Sequence, residues 1–202
     1  MAIILNNFAG DNSLSAIWKI EEDEQNLLYQ CTLTDYDKNI LNSICSINRR
    51  IEILATRATL LYLNPNITIT YKGKKPICNH GHISISHSDT LVAVIWHPIK
   101  QPTVDIELYD QRTLRIARRA FNTNELKFAN NNIEKLTKIW SCKECVYKIV
   151  DKLAVEFKEQ IAISDFMEDR NIKCTFKYDN KIQTYYLIHT SFCNHALVWG
   201  LV

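Results

Sequence analysis

Apolar residues recur every three or four positions along residues 48–63, NRRIEILATRATLLYL, which predicts a strong helix in the first half of the chain. Asn48 is a suitable N-cap, and the segment 64–66, Asn-Pro-Asn, would end the helix. Weaker helical patterns precede it in EEDEQNLLYQ and DYDKNILNSIC. The predicted apolar stripe of residues 48–63 consists of Ile51, Leu54, Ala58 and Leu61.

Other segments are short and apolar or alternate with a period of two, as ITITYKG does, and these predict β-strands. In the first half these are AIIL, SAIWKI, ITITYKG and a hairpin of HISIS and LVAVIW joined by HSDT. The second half begins with TVDIEL and continues with helices around residues 111–121 and 132–153, with Thr123 opening a short helical turn between them. It ends in three predicted strands: NIKCTFKY, KIQTYYLIH and HALVWGLV.

Each half therefore runs through helices and then closing strands, which predicts the α+β class. The proline-containing segment HPIKQP predicts a boundary between residues 1–100 and 101–202. HSDTLVAVIW near the end of the first half is echoed by CNHALVWGLV at the end of the second. We therefore expect two similar, pseudo-duplicated halves.

Composition excludes several other classes of protein. The hydrophobic fraction of 47% suits a soluble globular chain, and a net charge of +2 gives no reason to expect nucleic-acid binding. The apolar runs are too short for a membrane span, and the start of the chain lacks the basic and apolar regions of a signal peptide. With seven cysteines, an odd number, reduced thiols and a cytoplasmic location are expected.

Two carboxylates in the predicted strand TVDIEL are the first candidates for chemistry. Asp105 and Glu107 are two residues apart, so they share one face of a strand at about 6.5 to 7 Å. Such a pair suits Mg²⁺, which takes one or two carboxylates and completes its coordination with water and phosphate. The tetrapeptide VDIE alone favours a plainer interpretation, an edge strand with a solvated acidic face.

The segment 139–148, IWSCKECVYK, combines charged residues with a CxxC pair. On a helix, Glu144 and Lys148 share a ridge with Trp140, and they could form an ordinary surface ion pair. If that ridge faces the strand carrying Asp105, the carboxylates with Lys148 and Lys143 would suit a metal-bound diphosphate.

The CxxC pair of that segment, Cys142 and Cys145, invites a thiol or zinc hypothesis. Cys142 falls in the apolar stripe of the predicted helix, where cysteine most often acts as a small hydrophobe. A redox CxxC normally begins a helix, and a structural zinc site would need a second ligand pair. Burial of Cys142 is therefore the favoured prediction.

Further candidates are polar or basic. SISHS offers Ser86 and His87 to an anion at the end of a strand, although an isolated histidine in a turn is usually only solvated. The basic candidates are Arg57, which interrupts an apolar helix, the turn lysines Lys72, Lys74 and Lys75, and one helical face of Arg112, Arg115 and Arg119. That arginine face could be merely solvated or could bind an acidic protein.

In this order and spacing, ISISHS, TVDIE and WSCKECVYK resemble the three motifs of the 4′-phosphopantetheinyl transferase superfamily, Sfp-type branch. RATLL, KKP and AFNTNEL resemble further family segments, so the likeness extends over about residues 49–152. The resemblance implies two similar α/β halves with the active site in the cleft between them. It also implies an enzyme of the holo-[acyl-carrier-protein] synthase type, which transfers phosphopantetheine from coenzyme A to a carrier-protein serine and releases adenosine 3′,5′-bisphosphate.

The resemblance also implies roles for individual residues. Asp105, Glu107 and Glu144 would bind Mg²⁺, or Mn²⁺ in its place, with Glu144 also the general base. Lys148 would bind the diphosphate, with Lys143 as a weaker candidate. Coenzyme A would be contacted by Arg57, Lys75, Ser86 and His87, with His87 at its 3′-phosphate. The implied partner is an acyl or peptidyl carrier protein bound at Arg112, Arg115 and Arg119, and a pseudo-duplicated chain is expected to be a monomer.

Two departures from the family pattern support an alternative. Thr103 and Lys74 stand where the family usually has glycine, and Cys145 stands where serine or alanine is usual. None of the three replaces a charged catalytic group. The alternative hypothesis is a catalytically weak or inactive relative that binds coenzyme A or a carrier protein.

Overall fold

The computed structural model describes residues 2–152, 154–164 and 171–202 of the chain. The chain divides into two compact units, Met1–Gln101 and Pro102–Val202, and each combines helices with antiparallel strands. The α+β class predicted from the sequence is confirmed. Within the described ranges, no helix has the length and apolar character needed to cross a membrane.

The first unit contains six strands and three helices among its described residues. In chain order these are β1 (Ile3–Asn6), β2 (Leu14–Lys19), α1 (Glu24–Tyr29), α2 (Asp35–Ser43), α3 (Ile47–Leu63), β3 (Ile69–Lys72), β4 (Lys75–Cys78), β5 (His82–Ser88) and β6 (Leu91–His97). Four of the strands form an antiparallel sheet in the order β1-β2-β6-β5, and β3 pairs separately with β4.

Helix α3 packs on β2 and β6 because its apolar stripe matches the apolar faces of those strands. Leu54 and Ala58 of the predicted stripe are buried there. The predicted N-cap, Asn48, is wrong. The helix begins two residues earlier than expected, because the Ser46 hydroxyl accepts a hydrogen bond from the Arg49 backbone N–H.

Two hairpins follow α3. The predicted hairpin of β5 and β6 is present, with Asp89 in the left-handed region at φ 54° in its two-residue turn. The other hairpin joins β3 and β4 through Gly73 and Lys74, with Gly73 at φ 62°. The family pattern has its glycine at position 74, where this chain has Lys74. Here Gly73, one residue earlier, supplies the positive φ of the turn. Strand β4 was not predicted.

The second unit contains a five-stranded antiparallel sheet and four helices in its described part. Its elements are β7 (Pro102–Leu108), α4 (Arg112–Ala120), α5 (Thr123–Ala129), α6 (Ile133–Val150), α7 (Phe157–Gln160), β8 (Ile161–Ile163), β9 (Asn171–Tyr178), β10 (Lys181–Phe192) and β11 (His195–Leu201). The strand order is β7-β11-β10-β9-β8. The short elements α7 and β8 were not predicted.

Helix α6 packs on β7 and β11 and carries the core of this unit. Asn132 caps its N-terminus through a hydrogen bond from the Lys135 N–H, and the helix ends at Asp151, which adopts the left-handed conformation at φ 47°. The predicted end of this helix, at residue 153, lies outside the described residues. Cys142 and Val146 face the sheet, as the apolar stripe predicted.

Candidate active site

The face of β7 that carries Asp105 packs against α6. Asp105 stands opposite Val198 of β11, and Val198 belongs to the same buried cluster as Cys142 and Cys145 of α6. Only 3% of Asp105 is exposed. The plainer interpretation, a solvated acidic face, is therefore wrong for Asp105, because the helix covers this carboxylate.

Lys148 of α6 is directed at the same strand. Its Nζ donates to Oδ1 of Asp105 at 2.9 Å and to the backbone carbonyl of Val104 at 2.8 Å. Burial is the largest single influence and opposes a charge on Lys148, but Asp105, Cys145 and Glu144 together raise the pKa of the Lys148 ammonium above its ordinary value. Lys148 therefore remains protonated and fixes one oxygen of Asp105.

Glu107 and Glu144 complete a group of three acidic residues with Asp105, which we call the carboxylate cluster. Burial and then the Asp105 carboxylate raise the pKa of Glu107 to about 7, against the effect of a hydrogen bond from Trp140. Burial and then Asp105 also raise the pKa of Glu144 to about 7, although Lys148 opposes the shift. The cluster therefore holds more negative charge than Lys148 alone neutralises.

This donor set fits Mg²⁺ by its chemistry. Carboxylate oxygens are the hard ligands that Mg²⁺ prefers. Burial and then the Asp105 carboxylate raise the pKa of both glutamates, and a divalent ion would favour their ionised forms. Across the described ranges, no three His, Cys, Asp or Glu side chains form a ready-made ion cage. Mg²⁺ does not require one, because it binds through one or two carboxylates and takes its other ligands from water and phosphate.

The raised pKa values predict how stability depends on pH without metal. An unfolded glutamate has a pKa of about 4.3, so a folded value of about 7 favours the folded state fully below about pH 4.3. That contribution is lost as pH rises through 7. We expect the melting temperature of the metal-free wild type, relative to Glu107→Gln, to fall between about pH 5 and 8. Thermal melts of both proteins measure this difference, and a difference independent of pH would contradict the account.

The cluster and Lys148 lie within one stretch of the chain that resembles known proteins. Residues 103–198 match the family model of the 4′-phosphopantetheinyl transferase superfamily. The resemblance drawn from TVDIE and WSCKECVYK is confirmed over that range. A search of curated proteins found no match.

Thr103 departs from the superfamily pattern, and the structure shows what it does. Its side chain is fully buried, and its hydroxyl donates to the carbonyl of Cys145 at 2.9 Å. Gly200 stands opposite Thr103 on β11, and a Cβ at Gly200 would lie 2.7 Å from the Leu187 side chain. Through its hydrogen bond to Cys145, Thr103 connects β7 to α6.

Lys143, the weaker candidate for phosphate binding, has a different environment from the one predicted. It is fully buried, and its Nζ contacts Oε2 of Glu125 at 3.0 Å. The same Nζ donates to the backbone carbonyls of Phe157, at 2.9 Å, and Ile161. Burial lowers the pKa of Lys143, while Glu125 opposes that shift. Lys143 therefore connects α6 to α5, α7 and β8, and its contacts correspond to a structural role.

Glu125 was not singled out from the sequence. Its oxygens also accept hydrogen bonds from the backbone N–H groups of Asn122 and Ile163, each at 2.9 Å. Asn122 and Glu125 form a capping box at the start of α5, and the spacing of asparagine and glutamate in FNTNE is the signal that would have found it.

The CxxC cysteines are structural. Cys142 and Cys145 are fully buried, and burial raises the pKa of each thiol well above its ordinary value. A protonated, enclosed thiol is neither a good nucleophile nor a ready metal ligand. The prediction that Cys142 packs in the apolar stripe is confirmed, and the structure gives Cys145 the same environment.

The first unit holds the remaining candidates of the superfamily pattern. Ser86 and His87 are neighbours on β5, so their side chains point to opposite faces of the sheet. Ser86 is buried, whereas the side chain of His87 is 38% exposed and contacts Arg49 of α3. Lys75 is exposed at the start of β4. Arg49 was not singled out from the sequence.

Arg57 is enclosed in this unit. It is 5% exposed, and its guanidinium pairs with Oδ1 of Asp37 at 2.6 Å. Its guanidinium carbon lies 5.9 Å from the centre of the Tyr71 ring. Arg57 therefore connects α3 to α2 through a buried ion pair, and its contact with a nucleotide stays a prediction.

The predicted arginine face borders a cavity of the second unit. Arg112, Arg115 and Arg119 are all exposed, and Arg112 also pairs with Asp110. The cavity has a volume of about 570 Å³, and the indole of Trp140, which contacts Glu107, forms part of its wall. The lining residues are Arg115, Ile116, Arg119, Ala120, Trp140 and Phe157.

Proposed function

We propose that this protein transfers the 4′-phosphopantetheine arm of coenzyme A to a serine of an acyl or peptidyl carrier protein, as a transferase of the holo-[acyl-carrier-protein] synthase type. One observation carries the proposal. The carboxylate cluster and Lys148 are brought together by β7 and α6, inside the range that matches the superfamily. Phosphoryl chemistry needs this combination of acidic ligands and a fixed cation.

In the proposed reaction, the serine Oγ attacks the phosphorus that carries the pantetheine arm. A P–O bond forms there, and the P–O bond to the second phosphate breaks. Adenosine 3′,5′-bisphosphate leaves with the electron pair, and the serine proton passes to the Glu144 carboxylate. In the metal-free protein, burial and the Asp105 carboxylate raise the pKa of Glu144 to about 7, and a bound divalent ion would lower it.

The other residues of the cluster would hold the reacting groups. Asp105, Glu107 and Glu144 would bind Mg²⁺, or Mn²⁺, which supplies charge neutralisation at the diphosphate when bound. Lys148 is protonated and placed beside Asp105, so it would stabilise the charge that develops on the leaving bisphosphate. Trp140 would orient Glu107 through its indole N–H.

Of the four residues of the first unit assigned to coenzyme A, His87 and Lys75 are exposed and would contact its phosphates. Ser86 faces the other side of β5, so its part in binding would be separate from that of His87. We assign Lys143 to structure instead of phosphate binding, because it is buried in an ion pair.

The topology of each unit supports a pseudo-duplicated fold. The first unit has the antiparallel series β2-β6-β5 with α3 on β2 and β6, and the second has β7-β11-β10 with α6 on β7 and β11. Three further statements stay predictions: a coenzyme A site in a cleft between the halves, a monomeric state and a cytoplasmic location.

Docking of the carrier on the arginine face gives a separate prediction. Reversing the charge of Arg115 and Arg119 to Glu should raise the carrier KM, because an acidic carrier helix would then be repelled. Affinity for coenzyme A should not change. Steady-state kinetics with varied carrier and calorimetry with coenzyme A measure the two effects, with Arg118→Glu as a control that changes charge outside the cavity lining. An unchanged carrier KM would rule this docking surface out.

Carrier-dependent release of adenosine 3′,5′-bisphosphate tests the transferase proposal. We expect release only when coenzyme A, Mg²⁺ and an acceptor carrier are all present. The alternative, an inactive relative, is motivated by Thr103 and Lys74, and predicts coenzyme A binding by calorimetry without bisphosphate release. The structure gives Thr103 a buried hydrogen bond and places a glycine before Lys74, so neither departure removes a group of the cluster.

A further inference from the structure

A buried histidine holds the segment with which the chain leaves the first unit, residues 98–101. His97 ends β6 and is 5% exposed. Its Nδ1 accepts hydrogen bonds from the backbone N–H of Ile99, at 3.0 Å, and of Lys100, at 2.8 Å. Its Nε2 lies 2.9 Å from the backbone carbonyl of Asp11, in the loop between β1 and β2. We call these contacts, together with the ion pair of Lys100 and Asp11, the His97 clamp.

The clamp determines which ring nitrogen of His97 carries a hydrogen. A carbonyl oxygen only accepts, so Nε2 must donate to Asp11, and two N–H donors at Nδ1 require its lone pair. The two nitrogens therefore have different roles, and substitution can remove either one alone. Asn places an oxygen close to the position of Nδ1, whereas Gln places an NH₂ group close to the position of Nε2.

Backbone contacts hold this segment in place of apolar packing. Pro98 has no N–H, so Ile99 and Lys100 provide the first two donors after β6. All three residues are exposed, and the exposed fraction of Ile99 is 79%. A hydrogen bond within the protein protects an amide from exchange with solvent, so the N–H groups of Ile99 and Lys100 report whether the clamp is closed.

The clamp stands directly before the strand that carries Asp105 and Glu107. Strand β7 begins at Pro102, so Gln101 is the one residue along the chain between the clamp and β7. In the proposed function, residues of both units contact one molecule of coenzyme A. Affinity for such a ligand falls in proportion to the fraction of molecules whose joint is ordered and ready to bind.

We propose that His97 is a positioning residue for coenzyme A, because its Nδ1 keeps the joint between the two units ordered. The proposal rests on the proposed function for the identity of the ligand. It assigns the effect to the acceptor at Nδ1, which holds Ile99 and Lys100, and not to the donor at Nε2. The ring itself does not contact the ligand, so its loss should change affinity more than the rate of the bound complex.

Hydrogen exchange and calorimetry with coenzyme A test the proposal without any carrier. His97→Gln keeps a donor for Asp11 but loses the acceptor, so the amides of Ile99 and Lys100 should lose protection and coenzyme A binding should weaken about three- to tenfold. His97→Asn keeps the acceptor and should retain both properties within about twofold. His80→Gln is the matched control, since it makes the same change in an exposed histidine of the same unit. Thermal melts establish that each variant is folded.

The outcomes separate this proposal from the proposed function. A His97→Gln variant with protected amides, or with the coenzyme A affinity of the wild type, would overturn the role of His97. A His97→Asn variant that loses as much affinity as His97→Gln would overturn it too, because the acceptor would then be irrelevant. The expected pattern without any transfer to a carrier would support the clamp and count against the transferase. Transfer with the same coenzyme A KM in the wild type and all three variants would do the reverse.

Discussion

Replacing Glu144 with Gln should lower the rate of phosphopantetheine transfer by about 10²- to 10⁴-fold, the range that loss of a general base produces. Gln keeps the size of the side chain but cannot accept the serine proton, and its NH₂ group replaces one acceptor oxygen. The same substitution should leave the metal-free protein as stable as the wild type, or more stable, at about pH 8. Burial and Asp105 already disfavour the ionised carboxylate there, so a neutral side chain removes an unfavourable charge.

Loss of activity with retained stability separates a catalytic role from a structural one. Asp105→Asn should also abolish transfer. It should weaken the contact between position 105 and the Lys148 ammonium, because the charged partner is lost. Glu134→Gln is the control: it makes the same chemical change on α6, in an exposed residue that pairs with Lys138. Kinetics and chemical denaturation of the three variants measure both properties. A Glu144→Gln variant with wild-type rates would contradict the assigned role.

Replacing Glu125 with Gln should lower the free energy of unfolding by about 3 to 5 kcal/mol, the cost of leaving a buried charge without its partner. Lys143 is fully buried, and Glu125 is the carboxylate it contacts at 3.0 Å. Lys143→Met should have a similar effect, because Glu125 then loses its cation. The double variant should lose less than the sum of the two single variants, since no unpaired charge remains.

Urea denaturation of these variants measures the effect. Lys138→Met is the control, since it breaks the pair of Lys138 with the exposed Glu134 on the same helix and should cost about 0.3 to 0.5 kcal/mol. If Lys143 bound phosphate, Lys143→Met would keep its stability and lose affinity for coenzyme A. A loss below about 1 kcal/mol in both single variants would contradict the structural role.

The helices and strands with strong periodicity were predictable from sequence. α3, α6 and the β5–β6 hairpin each combine a repeating apolar pattern with a cap or turn residue, so local chemistry and burial agree. The position of the first residue of α3 was not predictable in the same way. Ser46 and Asn48 are both good N-caps, and only the observed hydrogen bond distinguishes them.

The elements β4, β8 and α7 escaped prediction because their segments, KPIC, IAI and FKEQ, contain neither an alternating nor a helical repeat of apolar residues. β4 is held by β3, and β8 is held by β9.

The residues of the candidate site were found from motifs, but their environments were not. A strand pattern places Asp105 and Glu107 on one face, yet only the packing of α6 shows that this face is covered. Arg57 and Lys143 have the residue type expected of phosphate ligands, and both are buried in ion pairs with carboxylates distant in sequence. Partners at such separations carry no local signal, which is also why the contact between Arg49 and His87 was missed.

The central claim is transfer of phosphopantetheine to a carrier, and the intact mass of the carrier reports that transfer directly. A panel of unmodified acyl and peptidyl carrier proteins, incubated with wild-type protein, coenzyme A and Mg²⁺, should contain at least one member that gains a single phosphopantetheine arm, while Glu144→Gln leaves the same carrier unmodified. The claim would be contradicted if no carrier gained the arm although a transferase of established activity modified the same panel.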